Sequence, residues 1–552
     1  GTPLARQVPA FDLAVSYDDL PKDEWKEQVS RLCGVPREKL EEKAQRIIRR
    51  VERIRRAVEK RTGIERVRVV EQNQAHPVVR DVPPEVAAAV RAAPEAFPGI
   101  VIHEGARREY PNGALAPHVV GGVNDLNPEQ WKKVCREGRQ WTGGMPLSQI
   151  GARYKMDDRI GSSGMEKEYE DLLRGRRGYV RNYLAFRLLK VEKVSREAPP
   201  EPGCDVYLTL REDFQRAANE ALQRASGMPQ LDFDRGALVI IDVKSGAVLA
   251  AATFPSYDLS TYRERLDEIA KDKERAPFLF RPVQAALPTG SVYKVITAIA
   301  GLEEGAITPA TTFTCHRREV FEGRAFHCTG SHGTLALLEA IERSCNIYFY
   351  HTALAAGGPA LTRWGRRFGL GMPTGVDFPF ETTGRVPEAH ATFQVINLAI
   401  GQGKLLCTPL QVANMMAAVA NGGRLYRPHF FHHASNSEGE IVREQRPQFK
   451  RIALHETTLS AVREGMRLVA QKRGTARHAD LERFRVAGKT GTAEQEASGL
   501  NHAWFAGYAP YENPKIAFAV VSESTTGHGG SHAAPILGMA LERIWDEVER
   551  MQ

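Results

Sequence analysis

Hydrophobic positions follow two different rhythms along the chain. Ile47, Ile48, Val51 and Ile54 recur at helical spacing inside the basic run Arg46 to Arg56, where glutamates flank the arginines. That pattern predicts a solvated amphipathic helix, within a charged helical stretch from Lys22 to Thr62, rather than a nucleic-acid-binding arm. Further along, "ALVIIDVKSGAVLAAATF" (Ala237 to Phe254) sets two apolar, β-rich runs on either side of Lys244 to Gly246, which predicts an antiparallel hairpin. "RVAGKTGTAEQ" (Arg485 to Gln495), "HAWFAGYAP" (His502 to Pro510) and "KIAFAVVSES" (Lys515 to Ser524) predict three more strands. Between them, "VYKVITAIAGLEE" (Val292 to Glu304) and "TPLQVANMMAAVAN" (Thr408 to Asn421) predict helices. Strands at both ends of a region with helices between them indicate an α+β domain, its terminal strands meeting in one antiparallel sheet flanked by helices.

Around "SREAPPEPGCD" (Ser195 to Asp205) the periodicity stops and prolines gather, which reads as an interdomain linker. The expected division is a non-catalytic module over residues 1–203 and a second domain over residues 204–552. A chain of 552 residues is too long for one ordinary core, which agrees with that division. The apolar fraction of 42% and charged fraction of 26% describe a globular protein, and no apolar run reaches the length of a membrane span. The chain begins at Gly1 without a signal-like region, so the natural N-terminus and any anchor it carried are expected ahead of it. A net charge of +8 favours acidic surroundings, whether nucleic acid, anionic lipid or a wall polymer, without choosing among them.

The chemistry concentrates after the seam. In "PTGSVYK" (Pro288 to Lys294), Ser291 and Lys294 stand one helical turn apart on one face. A serine hydroxyl is a weak nucleophile until a neighbouring base removes its proton. Lysine serves as that base only when neutral, a state favoured by burial and by a second cation such as Lys489. Ser-x-x-Lys alone occurs on many exposed helices. Here it is followed by "SCN" (Ser344 to Asn346) and "KTG" (Lys489 to Gly491), in the order and with the wide separations of the penicillin-recognising serine enzymes.

On these motifs the chain resembles the class B penicillin-binding proteins, in which a non-catalytic N-terminal module carries a transpeptidase domain of the serine β-lactamase-like fold. "REYPNGALAPHVVGGV" (Arg108 to Val123) and "IGSSGMEKEYEDLLRGRRG" (Ile160 to Gly178) are similar to the pedestal motifs of that class, and "IGQGKLLCTPLQVANMMAAVANGG" (Ile400 to Gly423) to its catalytic domain. Among the subclasses, the elongation type, penicillin-binding protein 2, is the most similar. The resemblance implies that Ser291 attacks a D-alanyl-D-alanine stem peptide with Lys294 as base, and that Ser344 relays a proton while Asn346 holds Lys294 and the substrate amide. It implies that Lys489 sets the electrostatics, that Thr490 and Thr492 bind the substrate carboxylate, and that Gly491 admits the substrate backbone. The oxyanion hole would be the N–H groups of Ser291 and Thr492. Implied partners are stem peptides, β-lactam antibiotics, a SEDS-type (RodA-like) glycosyltransferase and an elongation scaffold protein, with no nucleic acid. The implied location is the bacterial inner membrane through an N-terminal anchor, with the catalytic domain in the periplasm and no cofactor needed for catalysis. Competing readings are a divisome class B transpeptidase, a D,D-carboxypeptidase or β-lactamase, and a non-catalytic β-lactam sensor or scaffold. Against a class A β-lactamase, the chain holds no Glu-x-x-Leu-Asn segment.

Seven cysteines argue against a disulfide scaffold, but three of them fall between the serine and the asparagine. Cys315, Cys328, His332 and Cys345 would complete a tetrahedral structural zinc site, though their spacing matches no short zinc-finger signature. His316 or His327 could substitute. A Cys315–Cys328 disulfide, or simple burial of Cys345, would account for the same residues. Elongation-type relatives carry zinc beside the active centre with a different ligand set. Cys33, Cys135, Cys204 and Cys407 are scattered and read as structural.

Overall fold

The computed structural model describes residues 1–137, 154–155, 158–187, 190–495 and 498–551. Among these, the smaller of two compact units is Ala5–Pro111, and the larger comprises Gly1–Leu4, Asn112–Glu137 and the chain from Tyr154 onward.

The smaller unit is an antiparallel sheet in the order Ala75–Val82, Arg6–Ser16, Ile100–Glu109, sharing a core with the helices Glu24–Cys33, Arg37–Thr62 and Pro84–Ala92. Gly34, at φ +67°, ends the first helix, and Pro36 opens the second, where its missing N–H costs nothing. The arginine-rich run lies on the Arg37–Thr62 helix. Ile47 and Val51 are buried in the core, while Arg55 pairs with Glu52 and Glu59 along the outer face. The sheet itself has no counterpart in the sequence reading.

The larger unit is built on a five-stranded antiparallel sheet in the order Val248–Phe254, Gly236–Asp242, Ile516–Thr525, Asn501–Ala509, Ala487–Glu494. The first and last strands of the region thus meet side by side in the middle of the sheet. The central strands are buried on both faces, which explains their unbroken apolar runs. Helices Glu212–Ser226, Pro409–Ala420 and Ala533–Arg550 pack against the sheet. Helix Lys294–Glu303 is buried along nearly its whole length. No helix among the described residues is long and apolar enough to cross a membrane.

The proline-rich seam is not a free linker. Its first residues end a hairpin of Tyr179–Arg187 with Lys190–Ala198. Glu201 then exchanges backbone hydrogen bonds of 2.8 Å with Arg176, and the Cys204 N–H donates to Leu172 O at 2.8 Å. The prolines stop the ladder because they lack N–H donors, yet the chain stays packed. From Asn112 onward, the two glycine-rich motifs upstream also belong to the larger unit: Ser162 N–H donates to Gly122 O at 2.7 Å, and Tyr169 Oη donates to Asp377 Oδ2 at 2.6 Å. Compactness therefore divides at residue 111, whereas the seam expected to separate the domains lies inside the larger unit.

Candidate active site

Ser291 sits half-buried in a single 3₁₀ turn, Gly290–Tyr293, that runs directly into helix Lys294–Glu303. The first N–H groups of such a turn have no acceptors within the helix, so donors collect around the serine. Gly290, at φ +55°, lets the turn press on the edge strand Ala487–Glu494: an added Cβ there would fall on the Thr492 peptide. Trp504 Nε1 donates to Pro288 O at 2.9 Å and pins the approach to the turn.

Lys294 is wholly buried at the head of a mostly apolar helix. Such an amine is tolerated only with partners. Its Nζ donates to Ser344 O at 2.7 Å, to Ser344 Oγ at 3.2 Å and to Asn346 Oδ1 at 2.6 Å. Ser344 reaches this position with a left-handed backbone, φ +55°, between helices Leu337–Glu342 and Asn346–Ala356. That conformation is uncommon for a residue with a Cβ and concentrates at functional sites. Burial pushes the Lys294 ammonium down to about 8, with the thiols of Cys328, Cys345 and Cys315 pulling the other way. Lys489 is equally buried and held well below the ordinary lysine range, first by burial and then by repulsion from Lys294. Burial is thus the leading cause at Lys294. The mutual repulsion expected to neutralise it falls on Lys489 instead.

On the edge strand, Lys489 and Gly491 share one face and Thr490 and Thr492 the other. The sequence reading explained Gly491 by close approach of substrate backbone. The structure supplies a nearer reason: a Cβ at Gly491 would fall on the Thr289 carbonyl and lie 2.9 Å from Val292 Cγ2 and 3.0 Å from Trp504 Cβ. Gly491→Ala should therefore lift the serine turn off the strand. We expect a roughly hundredfold loss in the second-order rate of acylation by a fluorescent penicillin, the effect of about 1 Å of misplacement. A variant that is acylated at the wild-type rate would show that the turn adjusts freely.

Gln402 Nε2 donates to Thr492 O at 3.4 Å from outside the sheet. Since the N–H and C=O of one strand residue point to the same side, the Thr492 N–H also points off the edge, towards the serine turn. Gln402 was visible in sequence only as part of the "IGQGK" stretch, without a role. Ser291, Lys294, Ser344, Asn346, Lys489 and Thr492 are thus gathered where the head of one buried helix meets one strand edge. A neutral amine, a hydroxyl relay and two N–H donors suffice for acyl transfer through a serine ester.

Beside this site, Cys315, Cys328, His332 and Cys345 bring their donor atoms within 4.8 Å of one another. The Cys328 and Cys345 sulfurs are 4.0 Å apart, and His332 Nδ1 lies 3.5 Å from Cys328 Sγ and 3.7 Å from Cys315 Sγ. All seven cysteines are free thiols, so the Cys315–Cys328 disulfide weighed from sequence is not formed. The rings of His316 and His327 lie outside the cluster. A thiol–thiol hydrogen bond holds Cys328 well below the usual cysteine range and Cys345 well above it. The cluster reaches the active site directly: Asn346 N–H donates to Cys328 Sγ at 3.2 Å, and Asn346 Nδ2 donates to His327 O at 3.0 Å. The second bond fixes the amide so that Oδ1 faces Lys294, a role of a backbone carbonyl that no side-chain motif could announce.

Comparison with known proteins agrees with this geometry. The family described as penicillin binding protein transpeptidase domain matches residues 236–542, and that of the penicillin-binding protein dimerisation domain matches residues 1–208. The peptidoglycan D,D-transpeptidase MrdA of Haemophilus influenzae is 30% identical over 489 residues, covering 81% of this chain and 70% of the relative. Penicillin-binding protein 2 of Helicobacter pylori, solved in complex with MreC, superposes with a TM-score of 0.79 at 26% identity, over 99% of this chain and 96% of that one. A structure described as coordinating polymerization and crosslinking in a peptidoglycan synthase complex gives a TM-score of 0.69 at 27% identity, over 99% of this chain and 89% of that one. With a half-buried serine and a wholly buried lysine paired at the meeting of helix and strand, and with family matches over residues 1–208 and 236–542, this chain belongs to the penicillin-binding proteins of the transpeptidase family.

Proposed function

We propose that this protein is a peptidoglycan D,D-transpeptidase of wall elongation. The observation that carries the reading is Lys294: a fully buried amine one turn beyond Ser291, held at 2.6 to 3.2 Å by Ser344 and Asn346. In its neutral form Lys294 takes the Ser291 proton as Oγ attacks the penultimate D-alanine carbonyl of a stem peptide. The developing oxyanion meets the N–H groups of Ser291 and Thr492. Ser344 passes a proton to the departing D-alanine amine, the C–N bond breaks, and an ester remains on Ser291. The amine of a second stem peptide then attacks that ester, forming the crosslink and returning a proton to Ser291. A β-lactam undergoes the same first attack, but its leaving group stays tethered and the ester persists.

The test is intact-mass spectrometry after incubation with benzylpenicillin, followed by peptide mapping. One stable adduct on Ser291 supports a transpeptidase. Rapid loss of the adduct with hydrolysed drug in solution would make the protein a hydrolase, and no adduct would make it a scaffold.

Zinc is proposed for Cys315, Cys328, His332 and Cys345. With zinc–sulfur bonds of about 2.3 Å and zinc–nitrogen bonds of about 2.0 Å, tetrahedral edges come to about 3.8 Å between sulfurs and about 3.5 Å between sulfur and nitrogen. The 4.0, 3.5 and 3.7 Å separations fit that shape. The ion would neutralise crowded thiolates and tie down a loop with little core of its own. We expect the purified protein to contain about one equivalent of zinc by elemental analysis, and His332→Ala to lose it together with several degrees of melting temperature. A metal-free protein whose melting temperature a strong chelator leaves unchanged would sink this assignment.

The remaining assignments follow the relatives. Residues 1–203 are proposed as the pedestal and 204–552 as the transpeptidase domain, a division supported by the family matches over 1–208 and 236–542. Partners of the MreC scaffold kind and a SEDS-type glycosyltransferase, with the catalytic domain held outside the cytoplasmic membrane by an anchor, complete the proposal; the Helicobacter pylori complex supports a scaffold partner and the synthase complex a polymerizing one.

A further inference from the structure

The serine, SCN and KTG motifs contain Asn346 but not what holds its amide. Asn346 Oδ1 accepts from Lys294 Nζ at 2.6 Å, while Nδ2 donates to His327 O at 3.0 Å. The two ends of an asparagine amide are alike in size, so an acceptor behind Nδ2 decides which end meets the lysine. That acceptor belongs to a hairpin outside the motifs, Arg318–Phe321 paired with Arg324–His327.

The length of the hairpin explains why this carbonyl is available. Its two-residue turn, Glu322 and Gly323, takes φ +47° and +75° and closes the ladder on the pair Phe321 and Arg324. Antiparallel ladders bond alternate pairs, so Glu319 with Phe326 is a bonded pair and Arg318 with His327 is not. The His327 carbonyl therefore points off the hairpin. Residues directly opposite share a face, which sets Glu319, Phe321 and Phe326 together against helix Asn346–Ala356. Phe326 and Phe321 meet the Tyr350 ring edge to face, with centroids 5.8 and 6.2 Å away, and His351 Nε2 lies 2.8 Å from Glu319 Oε1. Tyr350 is buried one turn beyond Asn346 on the same helix face, and its Oη donates to His327 O at 3.3 Å. Both lone pairs of one carbonyl oxygen are thus filled from a single helix, by Asn346 and by Tyr350.

We infer that Tyr350 is a positioning residue for Asn346: its hydroxyl pins the His327 carbonyl, which in turn keeps Oδ1 of the amide towards Lys294. Without that pin the amide can turn, and Nδ2 then offers an N–H to the lysine lone pair that has to receive the Ser291 proton. The inference rests on the acyl-transfer reading above and adds to it a residue from outside the motifs.

The test measures the second-order rate at which a fluorescent penicillin acylates Ser291 in the full chain, across a double-mutant cycle. Tyr350→Phe keeps the ring against Phe326 and removes only the hydroxyl; it should slow acylation about fivefold, the usual net worth of one hydrogen bond. Asn346→Ala is slower from the outset, and adding Tyr350→Phe to it should change nothing further, because the group that Tyr350 positions is gone. If the phenylalanine variant does not fold, Phe326→Leu, which loosens the same carbonyl from the hairpin side, carries the same expectation. An equal slowing with and without Asn346 would reduce Tyr350 to a packing residue and overturn the inference, as would a wild-type rate in Tyr350→Phe. Failure of the underlying reading shows separately: the wild type would then not be acylated at Ser291, and the inference would fall with it.

Discussion

Ser291→Ala is expected to fold as the wild type does and to form no penicillin adduct, a loss of about a millionfold or more in acylation. The side chain is half-buried at the head of a helix whose stability comes from the apolar run behind it, so removing one hydroxyl leaves the packing untouched. The other hydroxyl in the site cannot take over. Ser344 Oγ accepts from Lys294 Nζ at 3.2 Å, and the Ser344 N–H is spent on Ile341 O at 3.2 Å, so it does not serve an oxyanion of its own. Intact mass and a thermal melt on both proteins check this. A penicillin adduct on the alanine variant, mapped to Ser344 or elsewhere, would move the nucleophile away from Ser291.

How much of this was legible in the sequence depended on what each residue has to announce itself. The sheet of the larger unit was readable because Leu238 to Ile241 and Phe518 to Val521 are buried whichever way they point, so their runs are apolar without interruption. The strand Arg6–Ser16 of the smaller unit is hidden by contrast, since only part of it meets the core and Pro9 interrupts its pattern. The prolines after Ala198 marked the end of a ladder, while the chain beyond them stays hydrogen-bonded to Arg176 and Leu172, and compactness divides earlier, at residue 111. The glycine-mediated contacts that fasten Asn112–Glu137 to the larger unit carry no side chain to read.

The same distinction runs through the site. Ser291, Lys294, Asn346 and Lys489 stand out because their chemistry resides in side chains at telling positions. The His327 carbonyl that orients Asn346, the Gly529 N–H on Thr492 and the left-handed Ser344 are backbone features, and every residue type has a carbonyl. Gly491 is an intermediate case: its importance was visible, but the neighbour that requires it, the Thr289 carbonyl, comes from a distant segment. The cysteine cluster shows the limit from the other side. Its spacing matched no familiar signature because strands Phe313–Cys315 and Gly333–Leu335 pair with each other and bring together ligands that lie far apart in the chain.

Lys294→Met is expected to slow acylation by about a thousandfold, within the range for loss of a general base, and to abolish its dependence on pH. Methionine has nearly the length of lysine and suits the neighbouring Phe349 ring, 5.5 Å from Nζ. The sign of the pH effect follows from burial. A solvated lysine titrates near about 10.4, whereas burial brings Lys294 to about 8, so the neutral base becomes abundant at far lower pH. The wild-type rate should rise about tenfold per pH unit and level off above about 8. Stability should carry the same signature. Between about 8 and about 10.4 the unfolded chain holds the extra proton, so the wild type gains stability as pH rises through that window. Below about 8 it bears the full cost of a buried ammonium. The methionine variant lacks that rise, and relief from the buried charge offsets the acceptors it strands on Ser344 and Asn346. Stopped-flow acylation and thermal melts across pH 6 to 10, run on both proteins, test the two parts together. A rate slope that survives the substitution would assign the titration to another group, and Lys489, buried and already pushed down by its neighbour, is the one placed to be it.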